Sequence, residues 1–192
     1  FDLSKWRLAG NGADMIRPDV MQSFVDAYHE AGFNAKAFLP SYGLAEATLA
    51  VSIMPPGEGI KVELVEESAL SGEPANPDRP LRYRAIVNCG KAVKDMTIEV
   101  RDHDGSILPD RKIGKVWCTG PSLMKEYFRD EQATKDCMAD GWLDTGDMGY
   151  LSNGYIFIVG RAKDMIIING KNHWPQDIEW AVEQLPGFKQ GD

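Results

Sequence analysis

The chain has 192 residues, of which 43% are hydrophobic and 26% charged, and its formal net charge is -8. This balance is typical of a folded globular protein with room for one domain, or for one domain and part of another. An acidic chain has little attraction for nucleic-acid phosphates, so we expect no nucleic-acid partner. The apolar run at residues 165–168 is far shorter than the roughly 20 residues that span a bilayer, and no transmembrane segment is predicted.

The three cysteines, Cys89, Cys118 and Cys137, are widely spaced and odd in number. No CxxC pair accompanies them, so the sequence indicates neither a disulfide framework nor a zinc site. We therefore expect a cytoplasmic location. The chain opens at Phe1 without a signal-like segment and closes soon after a helical pattern begins, so both ends are expected to be cut.

The first 54 residues predict a strand, a helix and a second strand. An apolar run at residues 6–9 leads into the loop Asn11-Gly12-Ala13-Asp14. Pro18 then opens a helical pattern that ends at Gly32. Residues 35–39 predict a strand that runs toward Tyr42. This order is typical of the end of a parallel α/β sheet subdomain, so the predicted fold class is α/β.

Residues 55–160 predict a small β-barrel-like subdomain, because short strands alternate there with turn signals at Asp104-Gly105 and Asn153-Gly154. A stretch rich in glycine, proline and acids indicates a loop or insertion at about residues 65–84. A helix is predicted at about residues 130–138. The predicted strands are residues 85–88, 97–101, 116–119 and 155–159.

Residues 161–192 predict a hinge and the start of a C-terminal α+β lobe. A helix is expected to begin near Pro175, where Asp177 and Glu179 suit the positive end of the helix dipole. Its apolar face would comprise Ile178, Ala181, Val182 and Leu185.

The first candidate motif is YGLAEAT at residues 42–48. It lies where a strand would give way to a helix, and open α/β sheets bind ligands at the carboxyl ends of their strands. The ring of Tyr42 could stack on a purine, and the Glu46 carboxylate could hold magnesium together with nucleotide phosphates. For this motif taken alone, the simpler interpretation is that both residues are structural.

The second candidate motif is WLDTGD at residues 142–147. The Asp147 carboxylate follows a glycine, so it can approach a ligand closely, and its two oxygens suit two ribose hydroxyls. The alternative is a plain turn with a capping Asp.

The third candidate motif begins at Gly160-Arg161-Ala162-Lys163-Asp164 and continues to Glu179. Arg161 offers a planar set of donors to ribose or phosphate oxygens. The alternative is a basic surface patch that leads into a strand.

The three motifs occur in the order and approximate separation of the adenylate-forming acyl and aryl ligases, and nearly the whole chain resembles this superfamily. The sequence is most similar to fatty acyl-AMP ligases, whose signatures resemble residues 42–48 and the string GKNHWPQDIE at residues 170–179. The resemblance implies ATP or AMP and Mg²⁺ as cofactors. It also implies the site residues.

By this resemblance, Asn11, Gly12 and Ala13 belong to a loop that lines the adenine site. The Tyr42 ring would lie against adenine, while Gly43 and Leu44 border the α-phosphate and the acyl carbonyl. Glu46 would be the catalytic magnesium ligand. Ala45 departs from many relatives, which carry a threonine hydroxyl there.

The resemblance further implies that Asp147 binds both ribose hydroxyls and that Arg161 adds a charged ribose contact. Lys163 would be the hinge about which the C-terminal lobe rotates between two reaction steps. An insertion at residues 65–84 is shared with fatty acyl-AMP ligases and implies a carrier protein, of polyketide or nonribosomal peptide synthase type, as acyl acceptor. The substrate would be a fatty acid.

Two groups of the superfamily are not found in this sequence. The phosphate-binding loop is expected upstream of Phe1, and the catalytic lysine is expected beyond Lys189, which comes too early. The chain is accordingly expected to be inactive alone. Two alternatives stay open at this point: a fatty acyl-coenzyme A ligase, and a non-catalytic interaction module that kept the fold, against which Glu46, Asp147 and Arg161 argue.

Overall fold

A computed structural model of the chain describes residues 1–72, 80–183 and 185–188. These residues form a mixed α/β structure around one large, mostly antiparallel sheet, with the strand order β1-β2-β3-β5-β10-β9-β7-β6. The strand β4 pairs with β5, β8 pairs with β9, and β11 and β12 form a separate hairpin. The strands are β1 (Ala9–Asn11), β2 (Phe38–Gly43), β3 (Ala50–Ile53), β4 (Val62–Glu66), β5 (Tyr83–Ala92), β6 (Thr97–Arg101), β7 (Gly114–Thr119), β8 (Met138–Ala139), β9 (Trp142–Ser152), β10 (Tyr155–Arg161), β11 (Ile166–Ile168) and β12 (Lys171–His173). The helices are α1 (Pro18–Tyr28), α2 (Glu67–Ser71), α3 (Glu131–Cys137) and α4 (Pro175–Glu183).

The first unit is a parallel strand pair joined by a helix, which confirms the predicted α/β class. β1 and β2 pair in parallel, with Ala9 opposite Phe38. Pro18 occupies the first turn of α1, where its missing N–H removes no helical hydrogen bond. Phe24 of α1 packs edge-on against Phe33 and Phe38, with ring centroids 5.1 Å and 5.7 Å away. This aromatic cluster holds the helix on the sheet.

The chain after β2 differs from the prediction of a strand followed by a helix. The residues Ala45–Ala47 form a single 3₁₀ turn, and β3 then returns antiparallel to β2. Thr48 reverses the chain with φ 67° and ψ -52°, and the Leu49 amide donates to the Ala47 carbonyl at 2.8 Å. These features define a γ-turn, which local sequence propensity does not indicate.

The predicted strands of the antiparallel region are confirmed in β5, β6, β7 and β10. The β9–β10 hairpin turns at Asn153 and Gly154, both with positive φ, as the sequence indicates. Sheet pairing continues from β3 to β5, with Ser52 opposite Ala92. The subdomain limits at residues 54 and 160 stay predictions.

The predicted insertion has secondary structure on both sides of residues 73–79, which lie outside the described residues. β4 and α2 precede this gap, and β5 begins at Tyr83. Leu70 of α2 packs in a second core cluster with Ile86, Phe157 and Trp174. The stretch is therefore partly packed structure rather than only a loop.

The predicted helix near Pro175 is confirmed as α4, but its predicted apolar face is not buried. Ile178 is 46% exposed and Leu185, beyond the helix, is 53% exposed. The helix instead places the Trp180 ring near the guanidinium carbons of Arg17 and Arg84, at 5.1 Å and 5.3 Å from the ring centroid. Among the described residues, no helix is long and apolar enough to cross a bilayer.

Candidate functional site

A cleft opens where β2, β5 and β10 meet the loop that follows β1. The cleft is open to solvent and encloses a volume of about 110 Å³. The cleft is lined by residues 13–16 and 41–43, by Val87, Cys89, Asp147, Ile158, Gly160 and Arg161, and by Gln176. The cleft therefore collects residues from all three candidate motifs.

Tyr42, Asp147 and Arg161 form a connected polar group in this cleft. The Tyr42 hydroxyl donates to Oδ2 of Asp147 at 2.6 Å. Nε of Arg161 lies 3.2 Å from Oδ1 of the same carboxylate, and these two residues are opposite each other in the β9–β10 pair. The Asp147 side chain is 8% exposed, whereas that of Arg161 is 50% exposed. A buried acid is thus bracketed by a phenol and a solvent-facing cation.

Irregular strand pairing aims Asp147 into the cleft. Between β7 and β9, Lys115 pairs with Met148 whereas Trp117 pairs with Asp144, so β9 has extra residues there and forms a bulge. Gly146, with φ 73°, lies within the bulge. The Thr145 hydroxyl donates to the Val116 carbonyl at 2.8 Å and accepts the Asp147 amide at 3.2 Å. The TGD sequence therefore forms a braced bulge rather than a simple turn.

Burial is the main cause of the pKa shifts of Asp147 and Tyr42. Burial raises the pKa of Asp147 above its usual value, although the hydrogen bond from Tyr42 and the charge of Arg161 act in the opposite direction. Burial and then the negative charge of Asp147 raise the pKa of Tyr42 well above its usual value. Tyr42 consequently remains a hydrogen-bond donor at neutral pH.

The loop after β1 lines the cleft with residues 13–16, and Ala13 among them has φ 76°. Asn11 and Gly12 are not among the residues that line the cleft. The Ser41 hydroxyl donates to the Asn11 carbonyl at 3.1 Å. A Cβ on Gly12 would lie 2.9 Å from the Ser41 carbonyl oxygen, so the close approach requires glycine. These two residues hold the loop against β2.

The YGLAE motif divides between the cleft and an adjacent position. Gly43 lines the cleft with Tyr42, whereas Leu44 and Glu46 are not among its lining residues. The Glu46 carboxylate accepts a hydrogen bond from the Tyr127 hydroxyl at 2.6 Å. Its negative charge contributes to the raised pKa of Asp147, after burial.

Lys163 lies outside the cleft, exposed in the 3₁₀ turn Ala162–Asp164 between β10 and β11. This turn connects the main sheet to the separate hairpin, and the hinge role of Lys163 stays a prediction.

Several cleft residues were missed in the sequence. Val87 and Cys89 alternate along β5, which identifies one strand face but not the neighbouring strand. Gln176 reaches the cleft from α4, and its buried Oε1 has no hydrogen-bond partner among the described residues. No local signal indicates either placement.

The fold and the cleft define a class of protein. Residues 1–128 match the AMP-binding enzyme family, and the chain belongs to that family. This confirms the resemblance seen in the sequence.

The chain is 46% identical over 197 residues to a putative acyl-CoA synthetase of Caulobacter vibrioides, covering 100% of this chain and 34% of that protein. It is 36% identical over 199 residues to the medium-chain-fatty-acid–[acyl-carrier-protein] ligase JamA of Moorena producens, covering 95% and 33%. Among solved fatty acyl-adenylate ligases from E. coli and L. pneumophila, one structure matches with a TM-score of 0.91 and 42% identity, covering 100% of this chain and 35% of that one. The chain thus spans about a third of the length of these relatives.

Proposed function

We propose that the chain belongs to an enzyme that activates a fatty acid with ATP to an acyl-adenylate, releases pyrophosphate, and passes the acyl group to the phosphopantetheine thiol of a carrier protein. The observation that carries this proposal is the convergence of Tyr42, Asp147 and Arg161 in one cleft. A buried carboxylate beside a cation suits a ligand with paired hydroxyls and a phosphate.

In this proposal the Asp147 carboxylate accepts hydrogen bonds from the ribose hydroxyls, and Arg161 donates to ribose oxygens. The Tyr42 ring lies against adenine, and its hydroxyl keeps Asp147 oriented at 2.6 Å. The backbone at Ala13 contacts the base, and Gly43 borders the reacting phosphate. The substrate carboxylate then attacks the α-phosphorus, with pyrophosphate as the leaving group.

The residues present fit a magnesium ion bound through Glu46 and substrate phosphates. The described residues contain no cluster of three or more His, Cys, Asp or Glu side chains suited to a metal. Mg²⁺ commonly binds through one or two carboxylates together with phosphates and water, so a single carboxylate suffices. The ion would neutralise charge on the phosphates, while Glu46 holds it beside the cleft.

Contacts between the predicted insertion and the residues beyond Lys163 support a carrier protein as acceptor. The Trp174 indole N–H donates to the Leu70 carbonyl at 3.2 Å. The buried Arg84 guanidinium pairs with Asp177 at 3.2 Å and donates to the Val159 carbonyl at 3.2 Å. A lobe restrained in this way would hinder the rotation that coenzyme A ligases use, with Lys163 as the hinge.

The second candidate is a fatty acyl-coenzyme A ligase, favoured by the similarity to the Caulobacter protein named above. Coenzyme A and a holo-carrier protein both offer a phosphopantetheine thiol, and each receives the acyl group only after the acyl-adenylate has formed. Acyl-adenylate formation therefore does not distinguish the two acceptors. A cytoplasmic location also stays a prediction.

The test uses the protein expressed from its complete reading frame. Fatty-acid-dependent exchange of pyrophosphate into ATP should be lost in Asp147→Ala, together with calorimetric binding of a non-hydrolysable acyl-adenylate analogue. Unchanged binding in this variant would refute the assigned ribose contact.

The acceptor is tested by supplying the same protein with coenzyme A or with a holo-carrier protein. Transfer to the carrier with little thioester of coenzyme A supports the proposal. Arg84→Ala, which removes the ion pair with Asp177, should raise turnover with coenzyme A, whereas Arg82→Ala at the exposed neighbouring position should not. Efficient turnover of the unmodified protein with coenzyme A would instead establish the second candidate.

A further inference from the structure

The turn that carries Glu46 is held by a segment that the sequence motifs do not include. This bracing segment, residues 122–127, connects β7 to α3. The Thr48 hydroxyl donates to the Ser122 carbonyl at 2.9 Å, and the Met124 amide donates to the Glu46 carbonyl at 2.7 Å. Contacts from outside the β2–β3 strand pair therefore hold the turn that carries Glu46.

The braced turn needs this support because its backbone is strained. Thr48 has φ 67° and ψ -52°, a region that residues with a Cβ rarely adopt. Such conformations persist where surrounding contacts over-determine them, and they cluster at functional sites. The two backbone contacts of the bracing segment account for the position of the turn.

A third contact of the bracing segment reaches the Glu46 side chain. The two backbone contacts do not explain it. The Tyr127 hydroxyl donates to Oε1 of Glu46 at 2.6 Å, a short bond of the charge-assisted kind. A carboxylate has about four lone pairs on two oxygens, so this bond leaves capacity for a cation. A tyrosine that served only packing would not need its hydroxyl directed at a carboxylate.

Tyr127 is itself held in place by the start of α3. Its amide donates to the Thr134 hydroxyl at 2.9 Å, and that hydroxyl donates to the Asp130 carbonyl at 2.9 Å. The Asp130 side chain caps α3 by accepting the Ala133 amide at 3.0 Å. A chain of hydrogen bonds therefore runs from a helix N-terminus through Tyr127 to Glu46.

We propose that Tyr127 is a positioning residue that orients the Glu46 carboxylate for the divalent metal ion of the bound nucleotide. This inference rests on the role of Glu46 in the proposed function. Tyr127 would not touch the substrate; it fixes one carboxylate oxygen so that the other meets the metal without reorganisation. Partners behind a metal ligand commonly change metal affinity by about 10- to 100-fold when removed.

The test measures Mn²⁺ affinity by electron paramagnetic resonance, in the protein from the complete reading frame saturated with α,β-methylene-ATP, which prevents turnover. Tyr127→Phe keeps the ring and removes only the hydroxyl, and it should weaken Mn²⁺ binding by about tenfold. Affinity for the analogue without metal should be unchanged. The matched control is Tyr83→Phe, whose side chain is 53% exposed on β5.

Two further variants separate the possible failures. Thr134→Val removes the bond that supports the Tyr127 amide, and it should weaken Mn²⁺ binding by a smaller factor even if Tyr127→Phe folds poorly. Unchanged Mn²⁺ affinity in Tyr127→Phe, with a loss in Glu46→Gln, overturns the positioning role alone. Unchanged affinity in Glu46→Gln overturns the metal role of Glu46 and this inference with it.

Discussion

The Tyr42 hydroxyl and the Asp147 carboxylate, 105 residues apart in the chain, meet at 2.6 Å inside the cleft. Both are buried, with Tyr42 9% and Asp147 6% exposed. This bond joins the end of β2 to the bulge of β9, so the predicted adenine and ribose contacts are parts of one hydrogen-bonded unit. Changes to either residue should affect both nucleotide binding and stability.

Asp147→Asn should raise stability without ligand and weaken nucleotide binding. Burial raises the pKa of Asp147, so the folded state binds its proton more tightly than the unfolded state does. The contribution of Asp147 to stability is therefore lost as pH rises from the unfolded value through the folded one, and Asn avoids that loss at pH 7. Calorimetry should therefore show a higher Tm for Asp147→Asn, since in a chain of this size each 1 kcal/mol gained raises Tm by about 2–4 °C.

Calorimetry with the acyl-adenylate analogue should show binding to Asp147→Asn weakened about tenfold or more, since a hydrogen bond to a charged group contributes about 1.5–3 kcal/mol. The control is Asp140→Asn. Asp140 is an exposed turn residue with φ 51°, a backbone conformation that Asn also adopts. A lower Tm for Asp147→Asn than for the control would contradict the inferred cost of the buried charge.

Tyr42→Phe should shift the pH dependence of nucleotide binding to higher pH. The hydrogen bond from Tyr42 lowers the pKa of Asp147, so its removal lets burial raise that pKa further. Asp147 must be ionised to accept both ribose hydroxyls, and binding should then weaken at a higher pH as acid is added. The measurement is analogue affinity across pH 5–8; superimposable profiles for the two proteins would rule out this coupling.

Gly43→Ala should strongly destabilise the fold, in contrast to Gly10→Ala. A Cβ on Gly43 would lie 1.7 Å from the Leu49 carbonyl oxygen, which belongs to the turn after Glu46. A Cβ on Gly10 meets no atom within 4 Å, and there alanine is expected to be neutral or to stabilise by about 0.4–1 kcal/mol. Urea unfolding followed by tryptophan fluorescence measures both variants. Similar midpoints for the two would show that the β2–β3 turn is arranged differently.

The three free cysteines should react with a thiol reagent at very different rates. Burial raises the pKa of Cys89 and Cys118 to about 12, so almost no thiolate is present at pH 8. Cys137 is only partly buried and should react first with DTNB, with the other two reacting after addition of urea. The control is Cys137→Ser, which should be nearly unreactive when folded. Fast reaction of Cys89 in that variant would contradict its burial in the wall of the cleft.

Local sequence was sufficient for features that depend on neighbouring residues. Pro18 marks the start of α1, Asn153-Gly154 marks the β9–β10 hairpin, and apolar alternation marks the strands. These signals work because proline, glycine and side-chain alternation restrict the backbone within a few residues. The same reasoning failed after β2, where contacts with the bracing segment stabilise a γ-turn instead of a helix.

The sequence by itself determined the fold class, the family and the residue types of the candidate site, because these depend on motifs that can be read along the chain. Only the tertiary structure decided how those residues meet. The strand order brings Tyr42, Asp147 and Arg161 together, and the bulge of β9 aims the carboxylate inward. The tertiary structure also places Tyr127 against Glu46 and leaves Ile178 exposed. Such contacts join residues far apart in sequence, so packing between distant elements selects them and no local pattern encodes them.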